Sequence, residues 1–165
     1  MSRTRSIKFP NTETELEALF DKLQRPLSTF IFNSPGLAIG TSKPKVLIAN
    51  TVYAYIEGVL AKKTTAEVVL TTANNVANAK FNVIVLTINS AGTVTPRSGT
   101  EASTIGGVVF PTVPTTEAAI GFVIINPTGT GGFVGGTTDL DDATVVPNAV
   151  YVNTPYPFLP GMESI

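Results

Sequence analysis

Apolar and polar residues alternate through much of this chain with the two-residue period of a β-strand, most clearly in residues 51–60. In that segment one set of side chains is apolar and the other is aromatic or polar: Val52, Ala54 and Ile56 against Thr51, Tyr53, Tyr55 and Glu57. The alternation predicts a half-buried strand with an aromatic outer face. Gly58 predicts a bulge or bend in this strand, and Lys62 and Lys63 predict a solvated turn after it.

Two further segments, residues 81–88 and 120–126, are apolar on both faces, which predicts central strands that are covered twice. In the second segment one face would hold Ile120, Phe122 and Ile124, and the other Val123 and Ile125. Gly121 would leave a gap on the second face for a large side chain of the facing layer. A turn at residues 89–92, with Gly92 at positive φ, would lead into a short strand that Pro96 stops.

Shorter strand candidates lie at residues 30–33, 37–40, 46–49, 66–72 and 145–152, with turn residues between them. Short strands at this spacing predict an all-β fold, mainly an antiparallel sandwich or a jelly-roll-like domain. We expect three regions in the chain. Residues 1–36 would be an anchoring arm with one short helix, residues 37–153 the β-domain, and residues 154–165 an extended, proline-rich tail.

The predicted N-terminal helix carries a single apolar stripe with the i, i+3, i+4, i+7 spacing of one helix face. Its members are Leu16, Leu19, Phe20 and Leu23. Asn11 or Thr12 would cap the start of the helix, and Pro26 would end it. Two interpretations stay open: the stripe docks on a partner subunit, or it covers the core of its own domain.

Only 14% of the residues are charged, against about 25% in typical soluble domains, and the mean hydropathy is positive. No segment has the ~20 consecutive apolar residues of a membrane span, so the sequence predicts no membrane partner. We therefore expect part of the surface to be buried against other subunits. The first residues lack a secretory signal pattern, and we expect a protein that is made and kept in a cytoplasm.

Cysteine and histidine are absent, which excludes disulfides, thiol nucleophiles, zinc–cysteine sites and a histidine general base. Residues 1–64 hold nine Lys/Arg and five Asp/Glu, a net charge of +4, and the remainder has a net charge of −5. The basic residues are scattered, so no nucleic-acid partner is predicted. Lys43 and Lys45 are expected in a solvated loop rather than on an anionic partner.

No catalytic residue, cofactor site or metal site emerges from the remaining motifs. The glycines of residues 129–136 lack the spacing and the Gly-Lys-Ser/Thr ending of a phosphate loop, and we interpret them as turns. Asp139, Asp141 and Asp142 lack an EF-hand pattern, and whether they hold a cation stays open. Glu57, Glu67, Glu101 and Glu117 are the candidates for a pair of carboxylates that hydrolyses glycosides, and their sequence contexts are unremarkable. The sequence therefore predicts a protein that is not an enzyme.

The turn at residues 89–92, the strand at 120–126 and the segment FVGGTTDL at 133–140 carry a resemblance to a known group. Residues 51–153 resemble small bacteriophage virion proteins that decorate a capsid or form head fibres. The resemblance implies a β-rich, non-enzymatic protein, often a homotrimer, that stabilises the shell formed by the major capsid protein. It would be made in the host cytoplasm and lie on the capsid surface of the virion. The N-terminal arm and the stripe of Leu16, Leu19, Phe20 and Leu23 would clasp the shell.

Two other functions are compatible with the residues. A tail-fibre or receptor-binding module would recognise host surface glycans by stacking sugars on Tyr53, Tyr55 or Tyr151. A secreted adhesin-like domain is the third possibility, and the missing signal pattern argues against it.

Overall fold

The structure is a computed structural model, and it describes residues 14, 16, 17, 20, 28–127, 130–147 and 149–154. Ten strands are formed by the described residues, in chain order β1 (Thr29–Ile31), β2 (Leu37–Ile39), β3 (Lys45–Ile48), β4 (Val52–Ile56), β5 (Val59–Lys63), β6 (Ala66–Val69), β7 (Asn82–Asn89), β8 (Val94–Ser98), β9 (Glu117–Ile125) and β10 (Val150–Asn153). Two short 3-10 helices, Thr72–Asn74 and Ile105–Gly107, lie between strands.

The strands form three antiparallel sheets, which confirms the predicted all-β, mainly antiparallel fold. The strand orders are β1-β4-β5, β2-β3-β6 and β10-β9-β7-β8. The inner faces of all three sheets meet in one hydrophobic core. Ile31 of β1, Ile48 of β3 and Ile84 of β7 are examples of its members, one from each sheet. The arrangement is therefore sandwich-like, with the four-stranded sheet as the layer that both smaller sheets contact.

Strands β7 and β9 occupy the two central positions of the four-stranded sheet, as their doubly apolar sequences predicted. One face of β7 joins the main core, and the other lies under the irregular segment at residues 99–114. On that side Val85 packs with Val113, and the rings of Phe110 and Phe122 meet edge to face with centroids 5.1 Å apart. The sheet is thus covered on both faces, because a loop segment supplies the second layer.

A β-bulge interrupts the pairing of β7 with β9. Leu86 lies opposite Gly121 and Thr87 lies opposite Ala119, so that Ile120 is an extra residue on β9. After the bulge, each residue of β9 lies on the opposite face of the sheet from the one that strict alternation from Glu117 would give it.

The predicted division of β9 into two faces was therefore wrong at one position. Ile120 is buried in the main core together with Val123 and Ile125, whereas Phe122 packs against the second cluster. Strict alternation would have placed Ile120 with Phe122, but the inserted residue changes the parity of the strand.

The gap at Gly121 is filled as the sequence predicted. A Cβ atom at this position would lie 2.6 Å from Cδ1 of Leu37, a side chain of the facing sheet, and 2.5 Å from the carbonyl oxygen of Val152. Gly121 therefore allows β2 and β10 to approach β9 closely.

The segment predicted as one bent strand is a hairpin. Glu57 and Gly58 both have positive φ, 48° and 86°, and form a two-residue connection between β4 and β5. Lys62 and Lys63 consequently lie in strand β5, so the solvated turn predicted for them was wrong. The turn was not recognised because glutamate seldom occupies a left-handed position.

Two other strand predictions differ from the structure near prolines. Pro96 lies inside β8 rather than ending it, since β8 is the edge of its sheet and a proline needs no ladder donor on the outer side. A strand was predicted at residues 145–152, whereas β10 spans only Val150–Asn153. The strand begins later than predicted, after Pro147, which has no N–H group to donate to a neighbouring strand.

The predicted N-terminal helix falls mostly outside the described residues, and the structure does not show it. Leu16 and Phe20 are described and are exposed, whereas Leu19 and Leu23 lie outside the described residues.

Candidate interaction surface

The outer face of the first sheet carries a continuous set of large side chains from three strands. Along β4 the side chains of Val52, Ala54 and Ile56 point into the core, and those of Tyr53 and Tyr55 point outward. The pairing register places neighbours from the adjacent strands beside these tyrosines. The outward set, here named the aromatic face, consists of Phe30, Phe32, Tyr53, Tyr55, Leu60 and Lys62.

The members of the aromatic face pack against one another. The ring of Phe30 lies edge to face with that of Phe32, with centroids 5.0 Å apart, and 5.7 Å from the ring centre of Tyr55. The ammonium group of Lys62 lies 5.8 Å from the ring centre of Tyr53, within cation–π distance. These contacts hold the rings in fixed positions on the sheet.

Three apolar or aromatic members of the aromatic face remain strongly exposed. The exposed fractions are 55% for Phe32, 41% for Tyr53 and 63% for Leu60. Isolated exposed apolar residues are common on proteins, but a contiguous apolar area that includes aromatic rings is typical of a binding surface. Aromatic residues are also enriched at interfaces between proteins.

A side-chain bridge fixes where the aromatic face ends. The amide group of Asn33 donates to the carbonyl oxygen of Thr51 at 2.7 Å, and its oxygen accepts from the backbone N–H of Tyr53 at 3.0 Å. The backbone N–H of Phe32 also donates to the carbonyl oxygen of Tyr53. Phe32 is therefore held beside β4, although the regular strand β1 ends one residue earlier.

Sequence alternation found part of this surface. It placed Tyr53 and Tyr55 on an outer face, and it missed Phe30, Phe32 and Leu60. The same two-residue period was present around Phe30 and Phe32, whose neighbours Thr29 and Ile31 are buried. Leu60 was missed because the hairpin at Glu57 and Gly58 was not recognised.

Tyr151, the third tyrosine considered for glycan stacking, does not belong to the aromatic face. It lies on β10 in the four-stranded sheet, and its hydroxyl group is buried without a hydrogen-bond partner among the described residues. Burial, followed by the nearby charge of Asp141, raises the pKa of Tyr151 to about 12. A buried hydroxyl group of this kind is unsuited to stacking with an external sugar.

The glycine-rich segment packs against backbone rather than forming an open anion cradle. The N–H of Phe133 donates to the carbonyl oxygen of Val76, and the N–H of Gly135 donates to the side chain of Asn75. A Cβ atom at Gly132 would lie 2.9 Å from the carbonyl oxygen of Val76. These glycines permit close approach of two chain segments, in keeping with the rejection of a phosphate loop.

The three aspartates near β10 are used in different ways. Asp141 forms an ion pair with Lys43, with a distance of 2.7 Å between Nζ and Oδ2. Asp142 accepts a hydrogen bond from the backbone N–H of Thr144 at 2.8 Å. In the described part of the chain, no group of three or more acidic residues has an arrangement that would hold a metal ion.

The glutamates considered for glycosidase chemistry also make structural contacts. Glu67 accepts from the backbone N–H of Ser42, which lowers the pKa of its carboxyl group against the opposing effect of burial, and it pairs with Lys45 at 3.4 Å. Glu101 accepts from the backbone N–H of Ala77 at 2.8 Å. Lys45 thus pairs with Glu67, just as Lys43 pairs with Asp141, so both lysines face a carboxylate of this chain.

Glu117 is the most enclosed of these carboxylates, and it lies beside Arg97 and Thr87 on the side of the sheet that residues 99–114 cover. The Nε atom of Arg97 lies 2.8 Å from Oε2 of Glu117, and the hydroxyl group of Thr87 donates to the same oxygen. Burial alone would raise the pKa of Glu117, but the bonds from Arg97 and Thr87 outweigh it and the net pKa is lowered. The group is a satisfied structural ion pair.

No helix among the described residues combines the length and apolar character needed to cross a membrane. The chain matches no protein-family model, no curated protein and no solved structure at a significant level. The resemblance to phage virion proteins therefore stays a prediction.

Proposed function

We propose that this chain is a non-enzymatic structural protein of a bacteriophage virion, a capsid decoration (cement) or head fibre protein. The observation that carries the proposal is the aromatic face, a fixed and exposed apolar surface on the outside of a well-packed β-domain. The resemblance of residues 51–153 to phage virion proteins supplies the biological setting. The partners would be the major capsid protein and further copies of this chain, as a homotrimer on the capsid surface.

The mechanism in this proposal is binding without chemistry. A protein that binds the assembled shell and not its dissociated subunits stabilises the shell by mass action. At a free concentration of 100 times the dissociation constant, the gain is about 2.7 kcal/mol for each site. Many symmetric sites on one capsid would multiply this gain. The low charge content of 14% fits surfaces that become buried in such an assembly.

Recognition of a host glycan by a tail-fibre or receptor-binding module is the second candidate. The specific observation in its favour is Tyr53, which is exposed and has the ammonium group of Lys62 above its ring. An exposed tyrosine with an adjacent polar donor is a chemically suitable platform for a sugar ring. The other exposed members, Phe32 and Leu60, offer no hydrogen-bonding group to a sugar, and they favour a protein partner instead.

Co-sedimentation with purified capsids tests the proposal. The wild-type protein should sediment with empty capsids, and the face variant Phe32→Ser/Leu60→Ser should lose at least tenfold in affinity. Ile105→Ser is the matched control, because Ile105 is also exposed, at 50%, and lies in the 3-10 helix Ile105–Gly107, outside the first sheet.

Labelled protein should cover the head of the virion uniformly. Labelling confined to the tail tip, together with binding to host glycans that Tyr53→Ala abolishes, would favour the receptor-binding alternative. Absence of wild-type binding to capsids would refute the decoration proposal.

A further inference from the structure

The aromatic face is not the only place where the described residues expose apolar side chains. In the N-terminal apolar segment, residues 16–23 of the sequence, the described side chains of Leu16 and Phe20 are 42% and 53% exposed. Both side chains therefore keep roughly half of their surface accessible to solvent. Described side chains of the aromatic face and of the N-terminal segment are thus accessible to a second copy.

We propose that the aromatic face of one copy receives the N-terminal apolar segment of a second copy. This inference rests on the proposed function, in which the aromatic face is an association surface, and it names the occupant of that surface. The segment would serve contacts between copies of this chain rather than a contact with the shell.

Charge supports this pairing. The N-terminal apolar segment and the three residues before it, 13–23 in all, contain Glu13, Glu15, Glu17 and Asp21 against one lysine, Lys22, which gives a net charge of −3. The charged member of the aromatic face is the exposed Lys62, with Glu57 in the hairpin turn beyond it. When the acidic segment of one copy approaches the aromatic face of another, its carboxylates are attracted to Lys62. Two aromatic faces would instead bring two lysines together, so the charges favour binding of the segment to the face over binding of one face to another.

Chain length also supports it. Phe20 precedes Ser28, the start of the continuously described chain, by eight residues, and an extended segment of eight residues spans about 26 Å. That reach is comparable to the diameter of a small domain, so the segment of one copy can lie on the adjacent first sheet of a neighbour. Exchange of a terminal segment is a common route to closed oligomers, and head-to-tail exchange between three copies would close a homotrimer.

Complementation between two variants tests the inference. The face variant is Phe32→Ser/Leu60→Ser, the segment variant is Leu16→Ser/Phe20→Ser, and Ile105→Ser is the control for loss of an exposed apolar side chain. All substituted residues are exposed, so far-UV circular dichroism should show that each variant is folded. Light scattering then gives the molar mass of each protein alone and of the two variants mixed in equal amounts.

Wild type and the Ile105→Ser control should form the same oligomer, and each of the other variants alone should have the 17.3 kDa mass of one chain. The mixture should reach twice that mass, because the intact segment of one variant finds the intact face of the other. A monomeric wild type, or a mixture that stays monomeric, would overturn the inference.

Failure of the inference is distinguishable from failure of the proposed function. If only the face variant loses association, the aromatic face is an interface with another occupant, and the inference alone is refuted. If neither variant changes the molar mass or the binding to capsids, both fail.

Discussion

The ammonium group of Lys62 lies 5.8 Å from the centre of the Tyr53 ring, on adjacent strands in direct register. This pair combines the positive charge of the aromatic face with one of its exposed rings. Among the described residues, no carboxylate forms an ion pair with Lys62. Lys62 is therefore placed to meet an acidic segment that approaches the rings.

Reversal of the charge at this position should weaken association. We expect Lys62→Glu to raise the dissociation constant of the oligomer about tenfold, or about 1.4 kcal/mol, because the cation–π contact is lost and the acidic segment is repelled. Lys62→Arg keeps both the charge and the ring contact and should associate like wild type. Light scattering over a dilution series checks both variants, and equal association of Lys62→Glu and wild type would contradict this role.

Gly92 should be intolerant of a side chain. It has a φ of +76° at the turn between β7 and β8, and a Cβ atom there would overlap the carbonyl oxygen of Lys62. We expect Gly92→Ala to lower the free energy of unfolding by about 2 kcal/mol or more through backbone strain and this overlap. Gly106→Ala is the control, since no atom lies within 4 Å of a Cβ atom built there. Urea unfolding compares the two, and an equal effect at both positions would refute the interpretation.

The hairpin turn at Glu57 offers a stabilising substitution. Glu57 has a φ of +48°, a left-handed conformation that asparagine adopts with less strain than glutamate, and Asn-Gly is the preferred sequence of such a turn. Glu57→Asn should raise the free energy of unfolding by about 0.5–1 kcal/mol. Glu57→Gln removes the same charge without easing the backbone and should leave stability nearly unchanged. If thermal unfolding shows the same gain in stability for Glu57→Gln as for Glu57→Asn, the effect comes from the lost charge and not from the backbone conformation.

The pair of Arg97 and Glu117 should make stability depend on pH. The pKa of Glu117 is lower in the folded protein, so its contribution is present above the unfolded value near pH 4.3 and is lost as pH falls through the folded value. Glu117→Gln should reduce the free energy of unfolding at pH 7 by about 1–3 kcal/mol and flatten its decline below pH 4.

Exposed Glu57 provides the control for this measurement. Glu57→Gln removes an exposed carboxylate of the hairpin turn without changing the Arg97–Glu117 pair, so it controls for the loss of one negative charge. Identical acid unfolding curves for wild type and Glu117→Gln would show that this ion pair contributes nothing to the pH dependence.

The sequence predicted those parts of the fold that depend on local periodicity. Doubly apolar strands identified β7 and β9 as central, and the gap at Gly121 was correctly assigned to a side chain of the facing layer, Leu37. The extra residue Ile120 could not be found in this way, because a bulge is defined by the partner strand rather than by its own sequence. Pro96 was misjudged for a related reason, since its tolerance depends on the edge position of β8.

The aromatic face was only half visible in the sequence. Tyr53 and Tyr55 share one strand and one period, so alternation brought them together. Phe32 follows β1, and the hydrogen bond from its backbone N–H to the carbonyl oxygen of Tyr53 places it beside β4. Leu60 lies in β5, and the register of β4 with β5 places it opposite Tyr55. Such a surface is a product of sheet assembly, and local patterns carry little information about it.

Hydroxyl-radical footprinting would show whether the aromatic face becomes buried when the protein assembles. Side-chain oxidation at Phe32, Tyr53 and Leu60 would be read by mass spectrometry in dilute protein and in the concentrated or capsid-bound state, with Ile105 as the exposed reference. Oxidation of the three face residues should fall at least severalfold on assembly, while that of Ile105 should be unchanged. Equal oxidation of the face in both states would contradict its role as an association surface.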